Sequence, residues 1–295
     1  MKTIKNKSKS IRARLLNLKK ISGHEYMYLL ARYFNERLLY RVSASVYRQN
    51  FLLKGGSLLY AFEGLNARPT VDVDFMANKI SRDRNHLEEV FREILAVKCD
   101  EDGVTFNLAN PPYEAITVDK DYPGTRFFII AHMDTIEYNM SVDIGFGDVI
   151  TPCPIVVDFP LLLNDVPSVS IQAYSFETVI AEKFHAMIDR DVANSRMKDF
   201  FDCYQILTTR EMDNSLLYDA ICATFDNRGL EYDANLQLFT ADFATDNDRH
   251  LRWNAFLKKI QWKEPIEFAD VMKLISERLR PMYERYFSPG CLEII

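Results

Sequence analysis

The sequence predicts an α+β protein: a mixed, twisted β-sheet with flanking helices, followed by a mainly helical C-terminal domain. Three observations carry that prediction. Between Phe51 and Ile144, strand-like apolar runs recur with helical patterns among them. A cluster of prolines, Pro152, Pro154, Pro160 and Pro167, then interrupts both patterns. Beyond the prolines, apolar residues recur mostly at helical spacing. The implied divisions are a basic N-terminal arm at 1–22, a sheet domain at 23–165 and a helical domain at 166–295.

The arm holds Lys2, Lys5, Lys7, Lys9, Arg12, Arg14, Lys19 and Lys20 with no acidic residue. A terminal charge run is usually a solvated, partly disordered tail. Here Ile11, Leu15 and Leu18 fall at helical spacing and describe instead a short amphipathic helix with one basic side. Ser22 and Glu25 have the form of a capping box, and Tyr26, Leu29, Leu30, Tyr33, Phe34, Arg37 and Leu38 continue with a helical period. That helix is expected to pack on the back of the sheet.

Phe51-Leu52-Leu53 runs into Lys54-Gly55-Gly56-Ser57, then a short helical pattern and a loop closed by Pro69. Val71, Val73 and Phe75 alternate with Asp72 and Asp74, as in a strand with one buried face. A helix is expected over 81–97, where Leu87, Phe91, Ile94 and Leu95 form an apolar stripe and His86 faces out. Strands are expected at 104–108, 115–118, 125–132 and 136–144, with a turn at Tyr122-Pro123-Gly124. After the prolines, helices are expected from Ser175, from Arg196, and at 215–226 and 265–287. Trp253, Phe256 and Trp262 flank Lys258 and Lys259, an arrangement that can stack bases, although helix packing is its commoner use.

Composition excludes several classes. The 295 residues are 48% hydrophobic and 26% charged, as in a globular protein with ample material for a core. No apolar run reaches the roughly eighteen residues of a membrane span, and no apolar signal segment follows the N-terminus. The 5 cysteines are scattered without a Cys-x-x-Cys pair, which argues against structural zinc and fits reduced thiols in cytoplasm. A net charge of −6 gives no global attraction to nucleic acid, so any such contact needs a local basic patch.

The chemistry concentrates in 54–75. Asp72 and Asp74 share a strand face, where two like charges repel unless a cation lies between them. Gly55 and Gly56 let the backbone approach a ligand, and the helix after them aims free N–H groups at anionic oxygens. A Gly-Gly-Ser turn alone is ordinarily only a turn, and a lone Asp-x-Asp is ordinarily solvated. In this order they make a phosphate cradle beside a metal-holding carboxylate pair. Asp143, between Val142 and Ile144, is another carboxylate on a predicted strand.

Gly-Gly-Ser, a helical spacer and Asp-Val-Asp together resemble the signature of the DNA polymerase beta-type nucleotidyltransferase superfamily. Within it, Leu53-Lys54-Gly55-Gly56-Ser57 and Arg68-Pro69-Thr70-Val71-Asp72-Val73-Asp74-Phe75 resemble the AbiEii/AbiGii toxin family of bacterial toxin–antitoxin systems. The segments 33–41, 143–148 and 181–186, and Arg196-x-Lys198-Asp199-x-x-Asp202, are also similar to that family. The resemblance implies a nucleotidyltransferase-type sheet and transfer of a nucleotide from a nucleoside triphosphate to an acceptor hydroxyl. It implies two Mg²⁺ ions, or Mn²⁺, on Asp72, Asp74 and Asp143. Gly55, Gly56 and Ser57 would bind the outer phosphates and Lys183 would neutralise departing pyrophosphate. Lys54, Arg68, Arg196 and Asp199 are further nucleotide contacts on the same basis. The implied partners are a cognate antitoxin and a tRNA 3′ end as acceptor, the latter in keeping with the basic arm. Two alternatives stand beside it: transfer to a protein side chain, or a nucleotide-binding partner protein without turnover.

Overall fold

The computed structural model describes residues 6–119 and 122–288. They fall in two compact units, the first running to 147 and including 154–174, the second made of 148–153 and the described residues from 175 on. The boundary thus falls later than 165. The proline-rich stretch holds two further strands, which join the sheet instead of separating it from the helical unit.

In the first unit the elements are α1 (Lys7–Ser22), α2 (Tyr26–Ala44), β1 (Phe51–Lys54), α3 (Gly55–Glu63), β2 (Val73–Ala77) and α4 (Arg84–Leu95). Next come β3 (Thr105–Asp119), β4 (Tyr122–Met133), β5 (Ile136–Phe146), β6 (Ile155–Phe159) and β7 (Val169–Ala173). They make one seven-stranded mixed sheet in the order β3-β4-β5-β2-β1-β7-β6. Two strands expected at 104–108 and 115–118 are a single long β3, irregular between Leu108 and Tyr113. The expected turn at 122–124 opens β4, where pairing with β3 supplies the ladder that local sequence does not announce.

On β2, Val73, Phe75 and Ala77 are buried while Asp74 faces the other way, half-buried. Phe75 meets Phe51 edge-on at 5.7 Å between centroids, Phe51 meets Phe91 of α4 at 5.5 Å, and Phe91 stacks on Phe127 at 4.5 Å. Each such buried ring contributes about 1.5–3 kcal/mol of hydrophobic stabilisation. The apolar face of α4 (Leu87, Val90, Phe91, Ile94, Leu95) closes this core, as its spacing predicts.

From Lys7 to Ser22 the basic run is a folded helix rather than an arm. Ile11 and Leu15 of α1 are buried, Ser8 Oγ donates to Gly103 O at 2.9 Å, Arg12 pairs with Asp134 at 3.0 Å, and Arg14 pairs with Asp165. Lys7, Lys9 and Lys20 remain exposed, and Lys2 and Lys5 lie outside the described residues. The expected capping box does not form. Ser22 ends α1, Gly23 follows in the left-handed conformation at φ 74°, and Glu25 itself precedes α2 without a side-chain cap.

The second unit contains α5 (Phe176–Arg190), α6 (Met197–Thr209), α7 (Asn214–Arg228), α8 (Ala241–Thr245), α9 (Asn247–Lys259) and α10 (Phe268–Tyr286). Trp253 is fully buried and donates from Nε1 to Ile266 O at 2.7 Å. Phe256 and Trp262 pack edge-on against Phe201 at 5.6 and 5.0 Å. These aromatics therefore serve helix packing. Among the described residues no helix is long and apolar enough to cross a membrane.

Candidate active site

Strand register assembles the sheet's polar groups. β2 pairs in parallel with β5 so that Asp74 lies opposite Asp143, and β1 sets Lys54 opposite Asp74. β4 sets Arg126 opposite Asp143, and β3 sets Glu114 opposite Arg126. Directly paired residues share a face. One row therefore crosses five strands: Glu114, Arg126, Asp143, Asp74, Lys54. Its signs alternate except at the centre, where two carboxylates stand side by side on strands about 4.8 Å apart.

Arg126 holds Asp143 through two bonds, from Nε to Oδ1 at 2.6 Å and from Nη2 to Oδ2 at 2.8 Å. Its Nη1 lies 3.8 Å from Glu114 Oε1. The hydrogen bond to Asp143 raises the guanidinium's pKa despite partial desolvation, and the charges of Asp143, Asp72 and Glu114 add to it. Asp72 is the last residue before β2. It is exposed, and its Oδ1 accepts a long bond from Ser141 Oγ at 3.4 Å.

The two glycines are needed for what lies against them. A Cβ on Gly55, which has φ +64°, would stand 2.2 Å from Asp74 Oδ2, and one on Gly56 would stand 2.9 Å from Thr70 Oγ1. The close approach expected for a ligand is, in the folded chain, an approach to the chain's own Asp74. Ser57 is fully buried and its Oγ donates to Asp72 O at 2.8 Å. Lys54 Nζ donates to Tyr174 Oη at 3.3 Å and lies 4.9 Å from that ring's centroid. Arg68 is half-buried in the loop that leads to β2.

The helical unit has its own cluster. Lys183 of α5 lies 2.9 Å from Asp199 Oδ1 and 2.7 Å from Asp202 Oδ2, and Arg196 Nε lies 2.8 Å from Asp199 Oδ2. Both carboxylates are buried in the first turns of α6. Burial alone would raise the pKa of Asp199, but Lys183 and Arg196 together outweigh it and hold the group below the usual carboxylate range.

Asp72, Asp74, Asp143, Lys54, Gly55, Gly56 and Ser57 thus gather in the sheet unit, and Lys183, Arg196 and Asp199 gather in the helical unit. Arg126 escaped sequence reasoning because nothing local marks it; only the pairing of β4 with β5 brings it to Asp143. Among the described residues, no group of three acidic, histidine or cysteine side chains is arranged to hold a metal ion. Asp72 and Asp74 offer the hard oxygen donors that Mg²⁺ prefers. Asp143 is already engaged by Arg126 through both of its oxygens. The residues present therefore fit one ion on two carboxylates, with a third carboxylate held in reserve.

The family model described as nucleotidyl transferase AbiEii toxin, type IV TA system, matches residues 37–274. Among solved structures, a Helicobacter pylori protein assigned as a nucleotidyltransferase is 14% identical, with a TM-score of 0.49, covering 89% of this chain and 97% of that one. The JHP933 protein of the same organism is 16% identical, with a TM-score of 0.46, covering 86% and 93%. No curated protein matches the chain.

Proposed function

We infer the reaction from a premise that the family match sets: this chain belongs to the AbiEii nucleotidyl transferase toxin family of type IV toxin–antitoxin systems. It is a nucleotidyltransferase with a cognate antitoxin. The finer reading is metal-dependent transfer of a nucleoside monophosphate from a triphosphate to the 3′ hydroxyl of tRNA. The observation that carries it is the side-by-side register of Asp74 and Asp143 next to Asp72.

The acceptor oxygen attacks the α-phosphorus, a P–O bond forms, the bond to the β-phosphate oxygen breaks, and pyrophosphate leaves. Asp72 and Asp74 would hold Mg²⁺, which would supply charge stabilisation at the transferring phosphoryl group. Before substrate arrives, Arg126 balances Asp143. An incoming triphosphate would offer the guanidinium a second anion, leaving Asp143 to take the hydroxyl proton. N–H groups at the start of α3, around Gly55 and Gly56, face the outer phosphates. Lys54 and Arg68 add positive charge in the same unit. Ser57 supports this loop from beneath through its bond to Asp72 O. Within the helical unit, Lys183 and Arg196 are the cations that the family resemblance associates with nucleotide phosphate, and Asp199 pairs with both.

Exposed Lys7, Lys9 and Lys20 on α1 support an RNA acceptor. The deciding experiment incubates the protein with each labelled triphosphate, Mg²⁺ and total cellular RNA or total protein. Label in the tRNA fraction is expected, and label confined to protein overturns the tRNA assignment. Replacing Lys7, Lys9 and Lys20 by alanine should flatten the log–log salt dependence of tRNA binding by about 2, at roughly 0.7 per phosphate contact. The triphosphate KM should not move.

A further inference from the structure

Helix α2 buries an unusual set of polar side chains: Arg32, Asn35, Glu36, Arg37 and Arg41. Three of them anchor surrounding loops. Glu36 accepts from Leu162 N–H at 2.7 Å, Arg37 Nη1 donates to Pro167 O at 3.0 Å, and Arg41 grips Asp102 and donates to Val104 O at 2.9 Å. Arg32 and Asn35, one turn apart, reach a different target. Arg32 Nη1 donates to Thr70 O at 3.4 Å and Asn35 Nδ2 to Val71 O at 2.9 Å. Ser57 Oγ completes the series on Asp72 O at 2.8 Å.

Three consecutive carbonyls are thus each held by a separate buried donor, in a segment that precedes β2 and has no strand ladder of its own. The arrangement is costly. Among the described residues, Asn35 Oδ1 and Arg32 Nε and Nη2 make no well-formed hydrogen bond, and the Arg32 guanidinium lies 3.6 Å from the Tyr60 ring centroid. Apolar side chains of similar volume would fill the space without that penalty, so packing does not account for it. Holding three successive peptide planes does fix the direction in which Asp72 leaves the chain.

We propose that Arg32 and Asn35 are positioning residues which, together with Ser57, clamp 70–72 and pre-aim the Asp72 carboxylate before metal and nucleotide arrive. The consequence for metal rests on the reading of Asp72 as a ligand; the clamp itself does not. Outer partners of a metal ligand are worth about 10–100-fold in metal affinity.

The test uses the full chain with Asn35→Leu, Arg32→Met and Arg32→Lys. Hydrogen–deuterium exchange in peptides covering 68–74 should quicken about tenfold in Asn35→Leu and Arg32→Met, the loss of one buried hydrogen bond, while peptides from β5 stay at the wild-type rate. Arg32→Lys, which keeps a donor for Thr70 O, should restore slow exchange. Mn²⁺ titrated calorimetrically should bind about 10–100-fold more weakly to Asn35→Leu than to wild type. Unchanged exchange at 68–74, or equal acceleration across the whole sheet, overturns the clamp. Wild-type protein that binds no Mn²⁺ overturns the ligand reading instead, and exchange still decides the clamp. If Asn35→Leu does not fold, the Arg32 pair carries the decision.

Discussion

The two acidic clusters of this chain differ in how their charge is compensated. In the helical unit, Asp199 and Asp202 are buried and already answered by Lys183 and Arg196 at 2.7–2.9 Å. In the sheet unit, Asp72 is exposed, Asp74 and Asp143 are half-buried neighbours, and Arg126 is the cation fixed on Asp143. A saturated buried cluster holds its geometry and resists change. A cluster on a part-exposed sheet face is open to a cation from solvent, and the repulsion between its neighbouring carboxylates is relieved when one binds. Stability should therefore depend on the first cluster, and turnover on the second.

The sharpest break in that contrast comes from Asp72→Asn. Loss of a metal ligand should lower kcat by about 10³-fold or more, which is several kcal/mol of transition-state stabilisation. Its melting temperature should stay near that of wild type, because the side chain is exposed and its contact to Ser141 is long. A steady-state assay beside a thermal melt reads both; retained turnover with early melting would make Asp72 structural. Lys183→Met should do the reverse to stability. It removes the cation that two buried carboxylates share and should cost about 3–5 kcal/mol in urea denaturation. The double variant Lys183→Met/Asp202→Asn should recover part of that loss, and an unchanged midpoint in the single variant would show the cluster to be unimportant for folding.

Acids in the two units should also respond to pH in opposite directions. Burial pushes Glu36 up to about 7, outweighing Arg37 at 2.7 Å and the Leu162 N–H. Between its unfolded pKa, about 4.3, and about 7, the folded state holds a proton that the unfolded state has lost. Stability from this group is present at low pH and declines across that window by up to about 4 kcal/mol. Asp199, held below the usual range, contributes above its unfolded pKa and loses that contribution as pH falls through its folded value. Denaturation curves of wild type and Glu36→Gln at pH 5 and pH 8 check the sign: the variant should lose the decline. The smallest effect belongs to Arg126→Gln. That pair is part-exposed, so stability should change by less than about 1 kcal/mol. Mn²⁺ affinity should rise, since Asp143 is released from its competitor. A fall would mean that Arg126 assists binding rather than competing with it.

Local pattern alone was enough for part of the fold. The spacing of Leu87, Phe91, Ile94 and Leu95 located α4, and alternation around Asp74 located β2, because periodic burial is written into neighbouring residues. The proline-rich stretch misled for the same reason. Pro152, Pro154, Pro160 and Pro167 flank β6 and precede β7, strands whose character comes from pairing with each other and of β7 with β1 rather than from their own composition. For the basic run the spacing of Ile11, Leu15 and Leu18 marked a helix, but the partners of Arg12 and Arg14, Asp134 and Asp165, lie far along the chain and left no local signal.

By itself the sequence determined the family, the candidate carboxylates and the glycine turn, because these rest on residue identities at short spacings. Tertiary structure decided what each group faces. Register placed Asp143 beside Asp74 and locked it to Arg126, folding turned Ser57 inward to the Asp72 carbonyl, and helix α2 brought Arg32 and Asn35 under the loop before β2. The physical reason is that hydrogen bonds and ion pairs act between atoms within a few ångströms in space. No spacing along a single chain specifies which strand or helix will supply the partner.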